Sequence, residues 1–238
     1  MDTSLRSHSI AGYIFVWTGL LLAALLAGGL IWSDIEAVFY GLPTLTNERF
    51  GGLSCPPLMT RSETANLYVT VRNQTDRAIS PLIRVEISGP ALMTSDREKT
   101  PILQPGESTT LAWPLSSANI DLGFFIFAKA FRYPEYRTSL AEDTCGILVV
   151  NFPLLDGNAL LALWLAISIA GLLVGFGLLE KQASISSRNT ALRRGLRMAA
   201  IVTLVAVLFG LRGDWVLGLL MFVILVLLMA VLLYFWLT

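Results

Sequence analysis

Charge is scarce in this chain, and its distribution excludes more than its amount does. Only 14% of the 238 residues are Asp, Glu, Lys or Arg, against 55% hydrophobic, where a soluble domain carries about 25% charged residues. No charged residue lies between Arg6 and Asp34, between Asp156 and Glu180, between Arg197 and Arg212, or after Asp214. Histidine is almost missing: His8 is the only one. That excludes Ser-His nucleophiles and His-based metal sites from everything beyond the N-terminal stub. No P-loop and no dinucleotide-binding fingerprint is present. The spans carry no ionisable residue at mid-depth, which argues against a self-contained ion- or proton-coupled pump. No catalytic set, cofactor or metal site is expected.

The uncharged runs have the length of membrane spans. Crossing about 30 Å of hydrocarbon takes about 20 apolar residues, which 10–32 and 158–179 supply. Beyond Met198 the apolar stretch is too long for one crossing, and Arg212-Gly213-Asp214 divides it as a polar turn. The reading is a stub 1–9, helix 10–32, linker 33–49, outer domain 50–152, linker 153–157, helix 158–179, basic linker 180–190, helix 191–211, turn 212–214 and helix 215–237. The third helix starts near Ala191, with Arg193, Arg194 and Arg197 reaching to the headgroups. A cleaved signal peptide competes for the first run, with Ala27-Gly28-Gly29 as a small-residue site, although an apolar run of this length exceeds a signal core of about 7–15 residues.

Orientation follows from the basic linker. Residues 180–197 hold Lys181, Arg188, Arg193, Arg194 and Arg197 against Glu180, and such short loops stay cytoplasmic. Both termini are then cytoplasmic and 33–157 extracytoplasmic, in a plasma (inner) membrane protein. That outer segment has 10 basic and 14 acidic residues, net −4, which is no surface for nucleic acid.

Cys55 and Cys145, the two cysteines, both fall in the outer segment. On the oxidising side of a membrane they read as a disulfide. Inside it the apolar pattern has period two: Leu67, Val69 and Val71; Ile83, Val85 and Ile87; Leu111, Trp113 and Leu115. The stretches 123–132 and 146–152 are more uniformly apolar and read as deeper strands. Turn signals such as Ser88-Gly89-Pro90, Gln104-Pro105-Gly106-Glu107 and Tyr133-Pro134-Glu135 separate them. Short alternating strands so punctuated predict an antiparallel β-sandwich.

Val71-Arg72-Asn73-Gln74-Thr75, followed by Leu103-Gln104-Pro105-Gly106-Glu107-Ser108, resembles the bacterial immunoglobulin-like domains of surface and cell-envelope proteins. Their V-x-N-x-T strand end and L-x-P-G-E-S turn recur at about this separation. The resemblance covers about 55–152 and none of the spans. It implies a fold type and a spacer, adhesive or docking role, with the Cys55–Cys145 bridge tying the first strand to the last. That differs from the antibody arrangement, in which the cysteines join the two sheets around a Trp.

Candidate contacts remain. Phe131, Arg132, Tyr133 and Tyr136 group aromatics with arginine, residue types enriched at binding hot spots. A strand end capping the sandwich is the competing reading. Gly19, Ala23 and Ala27 in the first helix, with Ala162, Ala166, Ala170, Gly171 and Gly175 in the second, form small-residue faces that let helix backbones approach. They serve packing either between these two helices or against another subunit. The stretch 39–50 is a tether or a segment laid along a surface, and Asn73-Gln74-Thr75 is a glycosylation sequon or a polar turn. The carboxylate pairs Glu142-Asp143, Asp96 with Glu98, and Asp34 with Glu36 read as solvated charges. The functional expectation is a non-catalytic accessory subunit of an envelope membrane complex, with other membrane-protein subunits and the bilayer as partners. The alternative is a ligand-sensing or transport component that binds a sugar, lipid or peptide.

Overall fold

The computed structural model describes residues 2–40, 44–46, 48–89, 94–180 and 187–237. The chain divides into two compact units, Met1–Ile31 with Ala159–Thr238, and Trp32–Asn158.

The first unit is helical. It is built from α1 (Asp2–Phe39) as far as Ile31, α2 (Gly157–Glu180) from Ala159 on, α3 (Ser187–Leu211) and α4 (Trp215–Leu237). Each contains a stretch long and apolar enough to cross a membrane: Ile10–Phe39, Gly157–Glu180, Ala191–Leu211 and Trp215–Phe235. Their shared core joins Val16 and Leu20 of α1 to Leu172 and Leu179 of α2, Leu196 and Ala199 of α3, and Leu225 and Leu232 of α4. The turn from α3 to α4 pivots on Gly213 at φ 72°, a left-handed conformation that ends a helix without a Cβ clash. Asp214 then starts α4, its carbonyl accepting from Gly218 N at 2.9 Å.

The second unit is a pair of β-sheets. Its strands are β1 (Leu53–Ser54), β2 (Leu58–Thr60), β3 (Ala65–Arg72), β4 (Leu82–Ile87), β5 (Thr94–Lys99), β6 (Ser108–Leu115), β7 (Phe125–Arg132) and β8 (Ala141–Val150). One sheet has the order β1-β3-β6 and the other β2-β8-β7-β4-β5. All pairings are antiparallel except β2 with β8. The alternating residues of β3, β4 and β6 meet Ile126, Ala128 and Ala130 of β7 and Ile147 and Val149 of β8 in one core. Cys55, just past β1 in the smaller sheet, bonds to Cys145 on β8 in the larger one, and both pack against that core.

Several details differ from the sequence reading, among them the start of α3, which lies at Ser187 inside the stretch 180–190 read as linker. Residues 33–39, read as linker, continue α1. An apolar run ends at its first charge, but a helix ends at a breaker, and after Asp34 none occurs before Gly41 and Pro43. Asp34, moreover, is not solvated: it is buried and accepts from Gly146 N at 3.0 Å. Gly146 is required there, because a Cβ would stand 2.0 Å from Ser33 O. Strand β8 begins at Ala141, five residues before the 146 read from the sequence, because β7 pairs with it as far as Arg132 opposite Ala141. Strand β5, Thr-Ser-Asp-Arg-Glu-Lys, has no apolar alternation because it is the exposed edge of its sheet, where charge discourages pairing with other chains.

Candidate docking surface

Strand direction sets the two ends of the β unit. Leu148 of β8 faces Phe125 of β7, and Ala141 faces Arg132. The chain enters near the Phe125 end, where Ala37 packs on Phe125 and Phe127, and Tyr40 bonds to Asp121. Burial and then Asp121 push the Tyr40 phenol up to about 12. The chain leaves at the same end through Gly157, whose N–H donates to Glu63 Oε2 at 2.6 Å. The loop between β7 and β8 therefore lies at the opposite end, beyond strands of eight and ten residues, a distance of roughly 25 Å. The β3–β4 connection reaches the same end, since Ile83 pairs with Arg132.

At that far end Tyr136 is exposed and held at φ 45°. Two guanidinium groups lie over its ring, Arg77 at 5.1 Å and Arg137 at 5.4 Å from the centroid. Arg137 also pairs with Asp76 at 3.8 Å. The loop is fastened from within. Thr138 Oγ1 accepts from Glu135 N at 2.9 Å and donates to Glu135 O at 2.7 Å. Ser80 N donates to Glu135 Oε2 at 2.6 Å, tying the loop to the β3–β4 connection. An ordered aromatic with flanking cations loses little freedom when a partner binds.

The other three candidate contacts are placed differently. Phe131 is wholly buried, so it is no surface contact. It lies under Arg84 and Lys129, at 5.7 and 5.5 Å. Arg132 is half-buried over Phe50 at 5.8 Å, and burial lowers its pKa against the opposing charge of Glu48. Tyr133 is partly covered, and its N–H donates to Leu82 O at 2.9 Å. Both alternating sets of β7 are enclosed, one in the core and one beneath the incoming chain, as a nearly continuous apolar strand requires.

The segment after α1 lies on the outer face of the larger sheet. Glu142 Oε2 accepts from Leu45 N at 2.9 Å and Thr46 N at 3.3 Å, while its Oε1 pairs with Lys129 Nζ at 3.0 Å. Lys129 in turn donates to Thr44 Oγ1 at 3.0 Å. Glu142 and Asp143, read from the sequence as solvated, are thus a correction: Glu142 is buried and Asp143 half-buried. Successive strand residues also point to opposite faces, so the two carboxyls do not share a site. Burial raises the Asp143 pKa, opposed by backbone hydrogen bonds from Leu53, Thr144 and Gly51 and by Arg49. Asp96 accepts from Trp113 Nε1 at 2.9 Å, an anchor for the edge strand. Among the described residues no group of three His, Cys, Asp or Glu is placed to hold a metal.

In the helical unit the small residues divide by face. A Cβ on Gly19 would stand 2.8 Å from Ser168 O, one on Gly175 2.7 Å from Val16 N, and one on Gly171 3.2 Å from Phe15 O. These glycines form the contact between α1 and α2. Trp164 Nε1 donates to Leu22 O at 2.8 Å across the same contact. Ala23 and Ala27 are buried, with Ala27 O 3.8 Å from a Cβ built on Gly210 of α3. Ala162, Ala166 and Ala170 are exposed on the other side of α2.

No protein-family model matches the chain, and no curated protein matches it. Solved structures similar to part of it include a Paenibacillus cycloisomaltooligosaccharide glucanotransferase complexed with cycloisomaltoheptaose, 14% identical with a TM-score of 0.33, over 42% of this chain and 13% of that one. A Listeria innocua β-glucosidase in complex with gluconolactone is 18% identical with a TM-score of 0.30, over 48% of this chain and 19% of that one. The matches thus span less than a fifth of those proteins, 13% and 19%, and such likeness carries no argument about activity.

Proposed function

We propose that the chain is a non-catalytic accessory subunit of a cell-envelope membrane complex. Four transmembrane helices hold it in the plasma membrane, and an immunoglobulin-like sandwich stands on the extracytoplasmic side. The apolar helices and the net positive linker 180–197 support that placement, as does a disulfide suited to an oxidising compartment. The strand order supports the immunoglobulin-like reading: a β1-β3-β6 sheet faces one in which β8, β7 and β4 are neighbours and β2 adds in parallel.

The observation that carries the functional reading is the ordered Arg77–Tyr136–Arg137 group at the end opposite the chain's attachment. Tyr and Arg dominate interface energetics, and here both are exposed on a fastened loop. The exposed Ala162, Ala166 and Ala170 supply a second contact, a close-approach face for another subunit's helix within the bilayer. The test is native purification in mild detergent of Tyr136→Ala and Ala166→Leu chains beside the unaltered one. Tyr136→Ala is expected to lose an extramembrane companion and Ala166→Leu a membrane-embedded one. Equal recovery of all companions by both variants would refute this assignment of surfaces.

A further inference from the structure

The end of the β unit through which the chain enters and leaves carries large apolar side chains in the open. Leu122 is 55% exposed, Phe124 52% and Leu154 82%. Leu122, Gly123 and Phe124 form the tight turn into β7, closed by Asp121 N to Phe125 O at 2.8 Å and Phe125 N to Asp121 O at 3.1 Å. Leu122 sits at φ 50° and Gly123 at φ 82°. Left-handed backbone suits Gly or Asn in such a turn, so an exposed leucine there is unfavourable on local grounds. Phe124 O accepts from Val149 N at 2.8 Å, which joins the turn to the strand running on to Leu154. Leu154 stands three residues before Gly157, where α2 begins, and so within about 10 Å of it along the chain.

We infer that Leu122, Phe124 and Leu154 form an apolar lip that dips into the headgroup–acyl boundary of the bilayer's outer leaflet. The inference rests on the proposed membrane placement of α2, because covalent continuity with that span brings Leu154 to lipid. The charges fit. Arg61, exposed, donates through its guanidinium to Gly123 O, which puts a cation at the level of lipid phosphates while its stem lies along apolar surface. Asp121 beside it is occupied by the Tyr40 hydroxyl and by Leu122 N. With its attachment end set in lipid, the domain would be restrained from tilting, and the Tyr136 group would be held at a fixed height.

The experiment uses the full chain in phosphatidylcholine–phosphatidylglycerol vesicles, with one cysteine introduced per variant and labelled with an environment-sensitive fluorophore. Cys55 and Cys145 are bonded to each other and do not react. The lip variants are Leu122→Cys, Phe124→Cys and Leu154→Cys; Gln104→Cys reports the far end and Leu227→Cys the face of α4. Labels at 122, 124 and 154 are expected to shift to the blue, to be quenched by doxyl groups on lipid chains, and to be several-fold less accessible to aqueous iodide than the label at 104. Lip labels as open to iodide as residue 104, with residue 227 quenched by lipid, would overturn the lip and leave the membrane reading standing. A label at 227 untouched by doxyl lipid would overturn both. Because all three lip positions are exposed, each variant is expected to keep the parent's thermal unfolding temperature in detergent, which checks that it has folded.

Discussion

Lys129 on β7 and Glu142 on β8 are paired at 3.0 Å, with side chains 5% and 10% exposed, beneath the chain that descends from α1. The carboxylate oxygen left over by the lysine binds the N–H groups of Leu45 and Thr46. One pair therefore couples the β7–β8 ladder to the covering segment. Removing one member leaves a buried charge without its partner. Glu142→Gln is expected to destabilise the β unit by about 3–5 kcal/mol, and Lys129→Met with Glu142→Leu together by much less. Thermal unfolding of the two variants and the parent checks both statements.

The Cys55–Cys145 bridge closes a separation of 90 residues. Restricting the unfolded chain over such a loop stabilises by about 4–5 kcal/mol in the chain-entropy account. Cys55→Ala with Cys145→Ala is expected to lower the denaturation midpoint accordingly, and the parent should fall to the same midpoint under reductant.

Tyr40 gives the fold an alkaline limit. Its phenol is raised to about 12 in the folded chain from an ordinary value of 10.0, so the folded state holds the proton more tightly than the unfolded one does. The resulting stabilisation is complete below about pH 10 and is lost as pH climbs through 12. Tyr40→Phe removes that dependence. Ultraviolet titration of tyrosinate together with unfolding curves at pH 9 to 12 tests the sign.

Asn73 is fully buried. Its amide donates to Arg77 O at 2.7 Å and Leu103 O at 2.8 Å, and its Oδ1 accepts from Thr75 N at 2.9 Å. The sequon is thus the hinge of a turn and is closed to modification once folded. Expression through a glycosylating secretory pathway is expected to add no glycan at Asn73, as read by intact mass. Asn73→Ala, which strips partners from buried backbone groups, should cost about 1–3 kcal/mol.

The packed small-residue contact between α1 and α2 and the exposed small-residue face of α2 should respond in opposite ways. Gly175→Leu and Gly19→Leu drive side chains into backbone 2.7–2.8 Å from the new Cβ. Overpacking of this kind costs about 1–3 kcal/mol, seen as a lower melting temperature in detergent. Ala166→Leu, on the exposed face, is expected to leave that temperature unchanged and to alter only what co-purifies.

What was legible in the sequence follows from periodicity. Leu67, Val69 and Val71 alternate because one face of β3 is buried and the other wet, and the same holds for β6. The apolar runs marked the helices because uncharged residues in such numbers leave little ambiguity. Partner-dependent features stayed hidden. Glu142 reads as a surface charge until Lys129 is brought beside it from 13 residues away. The contact between Gly19 and Ser168 could not be separated from the rival face at Ala166, because both faces of α2 carry small residues. The strand end between Phe131 and Tyr136 was legible, since the stretch 123–132 and the turn at Tyr133-Pro134 put it at Arg132, where β7 ends; which of the aromatics is exposed depends on packing by distant residues and was not.

The most direct test of the central claim is native mass measurement of the particle extracted from its own membranes in mild detergent, with every component identified. The account predicts a stoichiometric assembly containing this chain and at least one different membrane protein. Recovery of this chain alone, under extraction that leaves other envelope complexes intact, would contradict it.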